Sequence, residues 1–273
     1  MSFRSRLLAT LVACAVPLTA APALAQFEGR TAADVVQVTF LPGWRLPNGN
    51  HMAAVRITLA PGWKTYWRAP GEGGVPTVIS LTEAQGVSGM AIHWPRPQVF
   101  FANGMRSIGY HDDVILPVEF ALSETGEVSI AGQIDLGVCQ DVCMPVTLDL
   151  AGLLPPGTDR VREIGAALSE RPLTATEAGA GRATCSVEPI ADGLQVTVSV
   201  SLPPTGNDET IVVEHRHPDI WVSEAVTRRE GGTVSGTADI VPADHGPFAL
   251  NRSDLRITVI GSRMAVELDG CTG

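Results

Sequence analysis

The chain has 273 residues and carries 29 acidic against 19 basic side chains, for a net charge of −10. Such a surface repels phosphates at every contact, and Lys64 is the only lysine, so nucleic acid is excluded as a partner. After the N-terminal segment no run approaches the roughly 18 to 20 uninterrupted apolar residues that a membrane helix needs, so no transmembrane segment is expected in the mature chain.

Arg4 and Arg6 precede an apolar run from Leu7 to Ala20, and Ala23-Leu24-Ala25 offers a small-residue cleavage site before Gln26. This is the pattern of a secretory signal peptide over residues 1–25, and it predicts export to an oxidising compartment. Leu11-Val12-Ala13-Cys14 also fits lipoprotein processing, but cleavage there would leave an apolar core of only about seven residues, so a lipid-anchored form is the minor alternative.

From Asp34 to Leu150 the chain reads as short β-rich runs separated by Gly, Pro and Asn: Val35 to Phe40, Met52 to Leu59, Thr77 to Leu81, Val114 to Leu122, Val128 to Leu136 and Met144 to Leu150. That spacing predicts an all-β sandwich within residues 26–155. Leu153-Leu154-Pro155-Pro156-Gly157-Thr158 then punctuates the chain, and Asp159 to Glu170 places Val161, Ile164 and Leu168 at helical spacing. One short helix in a linker over residues 156–182 is predicted. After the low-complexity stretch Thr174 to Gly181, strands resume at Thr184 to Val187, Leu194 to Leu202, Thr210 to Glu214, Thr233 to Val241 and Leu255 to Leu268, the last broken near Gly261. They predict a second, smaller β domain over residues 183–273.

Aromatic residues crowd the first half. Phe40, Trp94 and Phe120 read as core. Around Gly62-Trp63-Lys64-Thr65-Tyr66-Trp67 and Phe100-Phe101-Ala102-Asn103-Gly104, however, rings sit beside turn formers. Such rings can shield a site or dock a partner, which makes Tyr66, Trp67, Phe100, Phe101 and Tyr110 candidates for that role.

Of five cysteines, Cys14 leaves with the leader, so Cys139, Cys143, Cys185 and Cys271 remain. Four cysteines allow three pairings, and the natural one joins the close pair Cys139 with Cys143 and the distant pair Cys185 with Cys271. The turn Gln140-Asp141-Val142 would set Cys139 and Cys143 across the mouth of a hairpin, within reach of a disulfide. So small a ring constrains the unfolded chain little, which favours a working bond over a structural one. A static staple remains open, as does Cu(I) binding by Cys139, Cys143 and Met144, with His111 a possible neighbour. Cys185 and Cys271 bracket the second domain and read as a structural disulfide. Other constellations are weak: Glu214-His215-Arg216-His217-Pro218-Asp219 lacks a third metal ligand, and Glu72, Asp112 and Asp113 read as solvated carboxylates.

Gly62 to Gly71, Gly74-Val75-Pro76-Thr77, Trp94-Pro95-Arg96-Pro97, Gly109-Tyr110, Val114 to Val118 and Val138-Cys139-Gln140-Asp141-Val142-Cys143-Met144-Pro145, in this order, resemble the N-terminal periplasmic domain of the thiol:disulfide interchange protein DsbD. The closest likeness is to its relatives in suppressor-of-copper-sensitivity proteins, and it covers roughly residues 30 to 152. The resemblance implies a periplasmic, immunoglobulin-like sandwich without a cofactor, in which Cys139 and Cys143 alternate between dithiol and disulfide. It implies electron passage from a membrane-embedded thiol reductase, or its thioredoxin-like module, to disulfide-containing periplasmic clients. It further implies an aromatic cap over the cysteines, at Phe101 or Phe100. Two departures stand out: only three residues separate the cysteines, and the membrane-spanning and thioredoxin-like parts of the full transporter are missing from this sequence.

Overall fold

Runs of Val, Ile and Leu at alternate positions build strands whose apolar faces must be buried against another layer. A computed structural model describes residues 31–102, 104–244, 246 and 248–273, so the expected signal peptide and Cys14 lie outside the described residues. One helical turn, α1 (Ala32–Val35), leads into β1 (Val36–Arg45), β2 (His51–Leu59), β3 (Lys64–Tyr66), β4 (Val78–Glu83), β5 (Val87–Ile92), β6 (Gln98–Ala102), β7 (Met105–His111), β8 (Asp113–Leu122), β9 (Val128–Cys139) and β10 (Cys143–Leu154). These form two antiparallel sheets, β1-β2-β8-β5 and β10-β9-β3-β7-β6, with β4 pairing beside β3 on β9. Val55, Ile57, Leu116, Val118, Ile134, Leu136 and Val138 pack between them as the core of an immunoglobulin-like sandwich.

Helix α2 (Arg162–Ser169) follows. Its Ile164, fully buried, packs with Trp44, Met52 and Ala54 on the outer side of β2, with Val161 and Leu168 alongside. This explains why β2 is buried almost throughout instead of alternating: both of its faces are covered.

The second half runs β11 (Leu173–Thr174), β12 (Thr184–Ile190), β13 (Gly193–Ser201), β14 (Thr210–His215), β15 (Ile220–Val222), β16 (Val226–Glu230), β17 (Thr233–Pro242), β18 (Leu255–Ile260) and β19 (Ala265–Asp269). Its sheets are β11-β19-β18-β14 and β12-β13-β17-β15, with β16 also on β17. Val196, Val198, Ile211, Val234, Ile257 and Val259 fill the core between them. Ile260 and Ala265 of this second sandwich join the core of the first, so apolar packing is continuous between the two.

The structure adds strands that periodicity did not reveal. β3 and β15 are three residues each, too short to show a period, and Gly89 interrupts the pattern of β5. Phe100 and Phe101, expected at a loop edge, lie instead in β6, whose hairpin with β7 pairs Phe100 with Ser107 and Phe101 with Arg106. The dipeptide Asn103-Gly104 between two β-rich runs is the sequence signal for that hairpin. Asn103 itself lies outside the described residues.

Cys185 on β12 is bonded to Cys271 just after β19, with the Cα atoms 5.8 Å apart. The bond ties one sheet of the second sandwich to the other, and the backbone of Cys185 and Thr272 is hydrogen-bonded at the same place (2.7 Å). It joins residues separated by 86 positions, for which loop-closure entropy amounts to about 4 to 5 kcal/mol. Replacing both cysteines by serine should therefore lower unfolding stability by about 4 kcal/mol in urea titrations while the protein still folds at room temperature.

Candidate redox site

The β9–β10 hairpin stays in register from Val128↔Leu154 to its tip, where Cys139 faces Cys143. A directly opposed pair at a tight turn brings two Cβ atoms together without bending the strands. The two cysteines are joined there in a disulfide, their Cα atoms 4.1 Å apart. Their surroundings differ sharply. Cys139 has no exposed surface, whereas Cys143 is exposed, as are Gln140, Asp141 and Val142 in the turn.

What buries Cys139 is Tyr66. Strand β3 lies beside β9 with Lys64 opposite Cys139 and Thr65 opposite Val138. Thr65 Oγ1 donates to the Gly137 carbonyl (2.9 Å), and Thr77 Oγ1 donates to the Tyr66 carbonyl (2.7 Å). Side chains two apart on a strand share a face, so Tyr66 lies on the side of Lys64 and Cys139. Its ring fits between two glycines: a Cβ on Gly137 would stand 2.9 Å from the ring, and one on Gly74 would stand 2.7 Å from it. The phenol oxygen is then 2.7 Å from Cys139 Sγ and 3.3 Å from Cys143 Sγ. Disulfide sulfurs carry no proton, so the phenol is the donor. Burial pushes the Tyr66 pKa up, which keeps it protonated and able to donate at neutral pH.

The other candidate residues scatter. Phe100 lies on the same sheet face, its ring 4.4 Å from that of His111 and 5.5 Å from Lys64 Nζ. Phe101 turns to the opposite face and is 72 % exposed. Trp67 and Tyr110, expected to cap the site or dock a partner, are instead buried in the core, and Tyr110 Oη donates to the Pro95 carbonyl (2.9 Å). Indoles and phenols placed inward by strand alternation serve packing. Met144 is in register with Val138 and packs against the first core, on the other side of the strand from Cys143, so Cys139, Cys143 and Met144 do not converge as copper ligands. His215 and His217 lie near each other, ring centroids 5.3 Å apart, and among the described residues no group of three His, Cys, Asp or Glu side chains could hold a metal.

The hydroxyl of Tyr66 is the feature that sequence reading placed least well. Tyr66 was one ring among several, and only the β3–β9 register and the two facing glycines single it out.

An immunoglobulin-like sandwich with a disulfide at a hairpin tip, one sulfur buried under a phenol and the other open, has the build of a thiol–disulfide relay domain. Residues 34–155 match the family described as thiol:disulfide interchange protein DsbD, N-terminal. Among solved structures the chain is similar to the N-terminal periplasmic domain of ScsB from Proteus mirabilis, at 25 % identity and a TM-score of 0.63. That match covers 88 % of this chain and 95 % of the other, so it takes in the second sandwich as well. No curated protein matches the chain by sequence.

In the reduced protein the Tyr66 hydroxyl is placed to stabilise a Cys139 thiolate, and a hydrogen bond to a charged group contributes about 1.5 to 3 kcal/mol. Tyr66→Phe keeps the ring and removes only the donor. It should raise the Cys139 thiol pKa by about one to two units, followed by thiolate ultraviolet absorbance in a Cys143→Ser background.

Proposed function

We propose that this chain is a periplasmic thiol–disulfide exchange protein that relays electrons from a thioredoxin-like or membrane-embedded reductase to disulfide-containing clients. Residues 1–25 serve as its export signal, residues 26–155 as the exchange domain and residues 183–273 as a second β domain, joined by the linker at residues 156–182. What supports the reading most is the asymmetry of the two sulfurs: Cys143 is exposed, and Cys139 is buried beside the Tyr66 hydroxyl.

Exchange proceeds by attack of a thiolate along the axis of the disulfide, and the better leaving group is the sulfur whose thiolate is more stable. An incoming donor thiolate attacks Cys143 Sγ, the S–S bond breaks, and Cys139 leaves as a thiolate that accepts from Tyr66. The donor's second thiol then attacks its own mixed-disulfide sulfur. The donor departs oxidised by two electrons, leaving Cys139 and Cys143 reduced. Onward transfer reverses the roles: the Cys143 thiolate attacks a client disulfide, and Cys139 then attacks Cys143 Sγ, releasing the reduced client and restoring the disulfide. The sequence departs from the family in its short Cys139–Cys143 spacing, yet the register of β9 with β10 still sets the two sulfurs opposite each other.

Cys139→Ser leaves the exposed thiol without its resolving partner. In periplasmic extracts it should accumulate a mixed disulfide with a thioredoxin-fold protein, detected on non-reducing gels and by mass spectrometry. Cys143→Ser, whose remaining thiol is buried, should accumulate at least tenfold less. Absence of any trapped species from Cys139→Ser would sink the proposal.

A further inference from the structure

Between β3 and β4 the chain forms a loop over residues 67–77, and this loop lies on the Tyr66 ring. The Gly73 carbonyl stands 3.3 Å from Tyr66 Oη as the alternative acceptor of its one proton, Gly74 presses on one side of the ring, and Val75 approaches Gly137 on the other. Covering Tyr66 also covers Cys139. What fixes the loop is the second sandwich, at two points.

The first point is Arg68. Its guanidinium lies over the Trp67 ring at 4.1 Å and reaches across to β14 and β19. Nε donates to Glu214 Oε1 and Nη2 to Glu214 Oε2, both at 2.9 Å, and Nη2 is 2.6 Å from Glu267 Oε2 and 3.4 Å from Thr258 Oγ1. The pair is well sheltered, with the Arg68 side chain 13 % and that of Glu214 18 % exposed. Burial opposes the charge, but the hydrogen bonds and charges of Glu214 and Glu267 outweigh it and hold the Arg68 pKa above its ordinary value. A forked, two-oxygen arrangement of this kind fixes direction as well as distance.

The second point is Glu224. One of its oxygens accepts from the Glu72 backbone N–H (2.8 Å) while the other pairs with Arg106 of β7 (2.9 Å). Gly71 is wedged against the same carboxylate: a Cβ there would stand 2.7 Å from Glu224 Oε1 and 2.8 Å from the Arg106 carbonyl. The loop is thus held at Arg68 and again at residues 71–72, directly before the residues that cover Tyr66.

We infer that the second sandwich is a clamp on the disulfide: Glu214, Glu267 and Glu224 are positioning residues that hold loop 67–77 closed over Tyr66 and so set how fast the Cys139–Cys143 bond is attacked. The inference rests on the exchange reading for its biological meaning, but the clamp itself is a property of the fold. As Cys139 Sγ leaves Cys143 it must part from its neighbour beneath the ring, and a loop pinned from outside the exchange domain resists that movement. Releasing either pin lowers the cost of local opening.

Dithiothreitol tests the clamp without any protein partner, since it breaks the S–S bond, leaves two thiols, and is itself oxidised to its cyclic disulfide. Glu224→Ala in the full chain should raise the second-order rate of this reduction about fivefold. Glu224→Gln, which keeps an acceptor for the Glu72 N–H but loses the charge facing Arg106, should give a smaller rise, and it carries the test if the alanine variant fails to fold. Glu163→Ala, which breaks the Arg56–Glu163 pair (3.1 Å) at α2 on the outer side of the first sandwich, should leave the rate unchanged. Wild-type rates in both Glu224 variants, or an equal rise in Glu163→Ala, would overturn the clamp. Faster reduction of Glu224→Ala in a protein whose Cys139→Ser form traps no partner would uphold the clamp and remove the exchange reading.

Discussion

Everything distinctive about this molecule turns on one contact, the Tyr66 hydroxyl against the Cys139 sulfur. A disulfide at a hairpin tip is ordinarily open on both sides, because a turn has no second layer above it. Here a three-residue strand, β3, is laid along the end of β9, and its one ring is pressed into the space left by Gly74 and Gly137. The two sulfurs of a symmetric bond become inequivalent as a result. One is exposed and unassisted, and the other is buried with a proton donor in place for the charge it would carry.

The contact depends on structure far from it. Tyr66 and Cys139 are 73 residues apart in sequence, and their meeting requires β3 to pair with β9 on one side and β7 on the other. The loop above the ring depends in turn on carboxylates of the second sandwich, so the two halves form one working unit. The apolar core is continuous between them through Ile260 and Ala265. The second sandwich thereby gains a role that its own residues do not advertise.

Much of this was legible in the sequence, and the division has physical causes. Close spacing, a turn and an even cysteine count are local properties, and they suffice to foresee the facing of Cys139 and Cys143 and the distant Cys185–Cys271 bond, both formed in the structure. The long strands and α2 declared themselves through their periods. Tyr66 could not be told from Trp67 or Tyr110 because all three are rings near glycines, and only strand parity and pairing decide which faces the sulfurs. Glu214, in a stretch with His215 and His217 that lacks a third metal ligand, is the partner of Arg68, and an ion pair between distant segments leaves no trace in the spacing of either. Met144 failed as a metal ligand for the simplest reason, that neighbours on a strand point opposite ways.

If Cys139–Cys143 is a working bond, its reduction potential shows this most directly. Equilibrating the protein with defined glutathione or dithiol buffers and counting alkylated Cys139 and Cys143 by mass spectrometry gives that potential. A value between about −270 and −120 mV, the range of exchange proteins, is predicted. A value below about −300 mV, where structural disulfides lie, would mark the pair as a static staple and contradict the account.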